Sequence, residues 1–349
     1  MQCSKRTVLT LAAISFLAVY MRSVAQDGTI TKPAVPEASH KGRFPAVLQA
    51  GFRSWDKGHL IAVVAGALAP NSPAVTVYDR DGRVTRETPI WMDGASEVML
   101  TDAAMSQTGS LIVSGGARNA DGAVTNFIAE IGADNRVQKV IRTTPFTPYY
   151  VCALDNGTVW SYGFDRDRNL KGVQNSLRLR NFSFEKGELQ ALLNTTALPG
   201  GRVSGDWLLP LGRYRGEISF GCNSKMVTLY NSRSGDLVEV DLKSNTMTMT
   251  KVLLLPASPP DFLITGFALT DSGAIFASFR DRTHHGSPQY GLFRLKRERA
   301  STAQWVAVPG TVGYLKDTPI QKLWGADGDE LVYARQDDGE LYWSKLGPR

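Results

Sequence analysis

Histidine and cysteine are scarce: four histidines (His40, His59, His284, His285) and three cysteines (Cys3, Cys152, Cys222) serve 349 residues. Adjacent His284 and His285 cannot both point one way from a strand, and no second cluster lies near them, so no metal site is expected. The chain also lacks a Gly-x-Ser-x-Gly elbow, a His-Glu-x-x-His helix, a phosphate loop and an EF-hand loop. Asp79-Arg-Asp81-Gly82 and Asp337-Asp338-Gly339 resemble fragments of calcium loops, but tight turns call for Asp and Gly on their own account. No cofactor is expected.

Beyond Ala25 the chain has no long apolar run. Met1 to Arg6 is a short basic start, Thr7 to Tyr20 is mostly apolar, and Ser23 and Ala25 are the small residues that a signal peptidase reads. Residues 1–25 therefore read as a secretory signal peptide cut before Gln26; the alternative is an uncleaved anchor. The apolar run is shorter than the roughly 20 residues that a spanning helix needs. No other segment is long and apolar enough to span a bilayer, so an exported protein (periplasmic or secreted) without a transmembrane segment is expected.

Export alters two further quantities. The leader holds Lys5, Arg6 and Arg22 and no acid, so the formal charge falls from +6 to +3 (6 − 3). The basic balance is thus no sign of a nucleic-acid partner. Cys3 departs with the leader, leaving Cys152 and Cys222 as either a disulfide or two buried thiols.

What the chain has in quantity is a repeated hairpin. Phe262 to Phe279 shows it best: a β-rich run, an Asp271-Ser-Gly273 turn, and a second β-rich run. Equivalent turns stand at Asp56-Lys-Gly58, Gln107-Thr-Gly109, Asp155-Asn-Gly157, Asn223-Ser-Lys225 and Ala326-Asp-Gly328. The interval from Asp155 to Asn223 is longer than the others, and it contains an insertion from Thr195 to Gly212. Third strands are expected at Ala74–Tyr78, Asn126–Glu130, Ser176–Leu179, Leu237–Val240 and Tyr290–Arg294, with fourth strands after further turns. A period of about 50 residues built from short strands marks a β-propeller.

The last unit has only three strands, at Ile320–Trp324, Glu330–Ala334 and Glu340–Ser344. A spare β-like segment at Gly28–Pro33 is expected to supply the fourth and spare that unit an open edge. The expected fold is all-β: one six-bladed propeller over residues 26–349 (about 28–347), closed by an N-terminal strand in the last blade. A β-sandwich pair or a seven-bladed ring are the alternatives.

These turns, with runs such as Gly273-Ala-Ile-Phe-Ala277 and Gly157-Thr-Val-Trp160, resemble the six-bladed β-propeller superfamily of TolB-like and NHL-like proteins. WD40 Gly-His and Trp-Asp pairs are missing, Leu341-Tyr-Trp-Ser344 departs from a YWTD blade, and the kelch-like Gly115-Gly116 occurs once. The superfamily includes hydrolases, lactonases, lyases and binding modules, so the resemblance implies a fold and no single function.

Arginine recurs after the second strand of most units: Arg118, Arg166, Arg168, Arg233, Arg280, Arg282 and Arg335. Equivalent positions in a propeller share a face, where guanidinium groups would suit a carboxylate or phosphate. The competing reading pairs them with Asp165, Asp167 and Asp281. Of the tryptophans, Trp207 in the insertion is the candidate for an exposed stacking aromatic, and Trp160 for core. The favoured function is a non-catalytic binding module for a small anionic or carbohydrate ligand or a protein partner. The alternative is a hydrolase or lyase of a lactone, sugar or acidic polymer, which would need a divalent cation or a carboxylate/His pair at the channel mouth. A third, an envelope scaffold, would show an apolar patch around Leu208, Leu209 and Leu211.

Overall fold

The computed structural model describes residues 41–44, 52–64, 73–166, 177–194, 218–232, 234–253, 262–281, 289–299, 302–314, 322–337 and 340–346. Every regular element among them is a strand. After β1 (Lys41–Phe44) come β2 (Phe52–Asp56), β3 (His59–Val64), β4 (Ala74–Tyr78) and β5 (Val84–Pro89). The second set is β6 (Ala95–Met105), β7 (Leu111–Asn119), β8 (Val124–Ile131) and β9 (Val137–Arg142); the third is β10 (Phe146–Ala153), β11 (Thr158–Asp165), β12 (Leu177–Ser183) and β13 (Gly187–Asn194). Then follow β14 (Ile218–Cys222), β15 (Met226–Asn231), β16 (Asp236–Asp241) and β17 (Thr246–Leu253), and β18 (Phe262–Leu269), β19 (Ile275–Asp281), β20 (Gln289–Arg299) and β21 (Thr302–Ala307). The two-residue β22 (Gly313–Tyr314) precedes β23 (Lys322–Asp327), β24 (Glu330–Asp337) and β25 (Glu340–Leu346).

Each set is an antiparallel meander. Four of the sheets have four strands, and the sets β14–β17 and β18–β21 merge into a nine-stranded sheet through a parallel joint between β17 and β21, with β22 on β20. The arrangement of the sheets is propeller-like.

The hairpin turns supply the local reason. Lys57 and Gly58 both have positive φ (46° and 81°), as a two-residue turn matched to strand twist requires. Asn223-Ser-Lys225 manages without glycine because the Asn223 Oδ1 accepts N–H bonds from Lys225 (2.8 Å) and Met226 (2.9 Å). Asp79 likewise caps its own turn, accepting from the N–H groups of Asp81 and Arg83, both at 2.9 Å.

Apolar residues pack between consecutive sets. Val63 and Val77 meet Leu111 and Phe127; Ile112 and Ile128 meet Phe146 and Val151; Trp160 and Leu179 meet Val227 and Leu229. Tyr230 and Leu237 then meet Ala277 and Trp305, and Ala268 and Leu292 meet Leu323 and Tyr333. The last cluster returns to the first set: Trp324, Val332 and Trp343 pack on Trp55, Leu60 and Tyr78, with Trp55 and Trp343 centroids 4.9 Å apart.

The edge of β25 is covered by an N-terminal strand, but not by the segment expected. Lys41 to Phe44 pairs antiparallel with Leu341 to Ser344, whereas Gly28–Pro33 lies outside the described residues. The Thr195–Gly212 insertion, with Leu208, Leu209 and Leu211, and the His284–His285 pair also lie outside them.

Candidate functional site

The first strands β2, β6, β10, β14, β18 and β23 surround a cavity of about 680 Å³. Close approach of these strands demands small residues. At Gly266 a side-chain Cβ would collide with the Leu323 carbonyl of the neighbouring sheet.

Carboxylates line this cavity, and their partners reveal what they do. Asp56 Oδ2 accepts the Met105 N–H at 2.7 Å, and Asp102 Oδ2 accepts the Val151 N–H at 3.0 Å. In each case an acid on one innermost strand grips the backbone of the next. Burial holds the Asp56 carboxyl above its ordinary range, opposed by the Met105 bond and the nearby Lys57 charge. Neutral groups do the same work elsewhere: Tyr150 donates to Ile218 O (3.0 Å), Asn223 Nδ2 to Thr270 O (2.7 Å), and Ser278 Oγ accepts from Leu323 N (2.9 Å). Between the last and first sets, Asp327 takes Arg80 at 3.0 Å and the buried Lys345, which also reaches Glu330 at 3.2 Å. Among the described residues no three Asp, Glu, His or Cys side chains come together as an ion-binding group.

Lys57 stands at the turn end of the cavity. Its Nζ donates to Met105 O (2.9 Å) and Ala153 O (3.2 Å) and lies 3.7 Å from Asp155 Oδ1, so one side chain joins turns of the first three sets. The carbonyls and the carboxylate share its three donors. Cys152 on β10 and Cys222 on β14, both half-buried in the cavity wall, form a disulfide with Cα atoms 6.1 Å apart.

The arginines divide. Arg118, Arg166 and Arg280 fall at the ends of second strands, away from the hairpin turns, and Arg118, Arg280 and Arg335 lie inside β7, β19 and β24 rather than after them. Arg168, Arg233, Arg282 and Trp207 lie outside the described residues, as does the Arg335 side chain. Arg118 is exposed and 3.5 Å from Glu97, an ion pair in open water.

Of the acids expected to pair with the neighbouring arginines, Asp167 and the Asp281 side chain lie outside the described residues, and Asp165 is engaged by an arginine of the adjoining strand. Both Asp165 oxygens accept from Arg180 Nη2, at 2.7 and 2.8 Å, and Arg180 Nη1 reaches Glu188 at 2.8 Å. Arg166 is left against the Phe164 ring, 5.2 Å from its centroid, and its Nε is buried without a hydrogen-bond partner among the described residues. Burial lowers the pKa of its guanidinium, and the nearby Tyr149 opposes that shift. Arg280 resembles it, with a buried Nε unpartnered in the same sense and Tyr290 5.7 Å away.

Trp160 is buried (1% exposed) between the third and fourth sets, and Trp91, between β5 and β6, is 53% exposed. Sequence reasoning missed Lys57, Asp56 and Asp102. Asp56 and Lys57 sat within a turn motif that explained them locally, and nothing in the chain shows which strand lies across from them.

No protein-family model matches this chain, and no curated protein matches it. Solved structures similar to it include U3-55K (12% identity, TM-score 0.46, covering 89% of this chain and 100% of that one). A luciferin-regenerating enzyme is 11% identical with TM-score 0.46, covering 91% and 96%. The periplasmic gluconolactonase PpgL of Pseudomonas aeruginosa is 11% identical with TM-score 0.43, covering 83% of each chain. Likenesses this loose carry no argument about this chain; its description as propeller-like rests on its own strand pairing and on the order of its apolar clusters.

Proposed function

We propose that this chain is an exported six-bladed β-propeller that binds a small ligand, without chemistry, in a chamber on its axis. One observation carries the reading. The cavity of about 680 Å³ is lined by five aspartates, and four of them are engaged by protein groups: Asp56 by Met105 N–H, Asp102 by Val151 N–H, Asp155 by Lys57, and Asp327 by Arg80 of the first set and Lys345 of its own, while the exposed Asp271 stands at a hairpin turn. Acid–base or metal-assisted hydrolysis requires such groups to point at substrate. Here four of the five point at protein and the fifth, Asp271, stands alone at a turn, and what is left is a space of the size that ligand pockets have. Lys57 narrows the turn end on the side of the first three sets, while the lining reaches turn residues of the other sets such as Ser224, Asp271 and Gly328.

Six blades are supported by six four-strand sets, counting Lys41–Phe44 with the last, and by apolar clusters that run from each set to the next and back to the first. Export is supported by the leader-like segment from Met1 to Ala25 and by the Cys152–Cys222 bond, which a reducing cytosol would not maintain. The test is a screen of the mature protein against sugars, organic acids and lactones, read by thermal shift and, in parallel, by product formation. A saturable shift without turnover is expected. Turnover of a lactone, sugar or acidic polymer would replace this reading with the hydrolase, and the lack of any shift would remove it.

A further inference from the structure

We propose that the Cys152–Cys222 disulfide is an exchange site for small-molecule thiols admitted to the chamber, and that its opening loosens the seam between the third and fourth sheets. The proposal goes beyond the binding reading: it needs the chamber and no bound ligand.

The position of the bond carries this. Cys152 on β10 and Cys222 on β14 belong to neighbouring first strands, and both are half-buried and line the cavity. Residues two apart on a strand share a face, so Tyr150 and Cys152 look across the seam at Phe220 and Cys222. The Tyr150 and Phe220 rings, 6.1 Å apart, line the cavity beside the sulfurs. The bond therefore borders a space of about 680 Å³, which a small thiol can enter and a folded protein reductant cannot. Exchange begins with a thiolate attacking a disulfide sulfur, so access separates labile disulfides from inert ones.

The chemistry needs only the thiol. A thiolate attacks one sulfur and forms a mixed disulfide, while the electron pair of the broken S–S bond leaves on the other sulfur, which takes up a proton. A second thiol then displaces the first as a small disulfide. Two thiols are oxidised and the cystine is reduced to two cysteine thiols. The consequence falls on one seam. Elsewhere the ties described above, such as Asp56 to Met105 N–H and Asn223 to Thr270 O, are hydrogen bonds, which break and re-form without a reagent. Between β10 and β14 the Tyr150 bond to Ile218 O holds the end away from the turns, and the disulfide holds the turn end. Reduction removes the second tie and leaves the first, with Trp160 and Leu179 still packed on Val227 and Leu229.

The test times reduction of the whole mature protein by dithiothreitol, by glutathione and by thioredoxin, quenched by alkylation and read by mass. The rate with either small thiol should rise in proportion to its concentration without a plateau, and should not respond to urea below the unfolding transition. Thioredoxin should be slower than dithiothreitol by about tenfold or more at equal thiol concentration. After reduction, amide hydrogen exchange should quicken by about tenfold or more in β10 and β14 and hold steady in β2 and β6. A rate that reaches a plateau with thiol and climbs with urea would place the reaction in an opened chain and overturn the proposal. Thioredoxin outpacing dithiothreitol would do the same, since the bond would then face the outside. Hydrogen exchange that quickens in every sheet, or in none, would refute the loosening of this seam. If thiols open the native bond while the ligand screen finds nothing, the binding module fails and this site stands.

Discussion

Replacing Cys152 and Cys222 together by alanine should lower stability by an amount set chiefly by chain entropy. The cysteines are 70 residues apart in sequence, and a cross-link closing a loop of that length restricts the unfolded chain by about 4.4 kcal/mol at 25 °C. Measured losses usually fall short of this limit, so about 2–4 kcal/mol is expected. At about 2.1 cal/mol/K per residue, each kcal/mol moves the Tm of a chain this size by roughly 1.4 °C, which predicts a fall of about 3–6 °C. The native state should survive the change, because Trp160 and Leu179 still pack on Val227 and Leu229 across the same seam, and Tyr150 still donates to Ile218 O. Calorimetry of the parent with and without reductant, beside the double variant, checks this. Reductant should lower the parent to the variant and leave the variant unmoved. A fully reduced parent melting within about 1 °C of the oxidised one would refute the entropic argument, since loop closure is then not what the bond contributes.

Two further outcomes follow from burial. Trp343→Ala should cost about 3–5 kcal/mol in urea denaturation, because Trp343 is 1% exposed and stacks on Trp55 where the last set meets the first. Trp91→Ala, at 53% exposure, should fall within about 0.5 kcal/mol of the parent, and equal losses at the two sites would deny the seam its importance. Asp56 gives a pH signature. Its folded pKa lies above the unfolded 3.8, so its charged form costs stability at neutral pH, and the cost vanishes as pH falls through the folded value toward 3.8. Asp56→Asn keeps an oxygen for the Met105 N–H and should exceed the parent in stability at pH 7, with the advantage gone near about pH 4. An advantage that does not change with pH would contradict it.

Much of the fold was legible because hairpins are local. Strand propensity and Asp-x-Gly turns depend on contacts within a few residues, and their regular recurrence along the chain located the strand sets. The shortage of one strand at the C-terminal end was legible too. Which segment would fill it was not. Lys41-Gly-Arg-Phe44 has little strand propensity of its own and is extended because β25 offers it an edge. Its pairing is a property of the partner.

The candidate site shows the same division more sharply. From the sequence came the arginine positions and the acids beside them. Successive residues on an extended chain point to opposite faces, so Asp165 and Arg166 are neighbours that do not meet, while Arg180, 15 residues away on the adjoining strand, takes both carboxylate oxygens. The reach of Lys57 to carbonyls 48 and 96 residues away, and the grip of Asp56 on Met105, likewise exist only once the sheets stand side by side. Local backbone preference fixed the hairpins. Which acid each cation meets was decided by packing between strands and sheets, where partners distant in the chain become nearest neighbours.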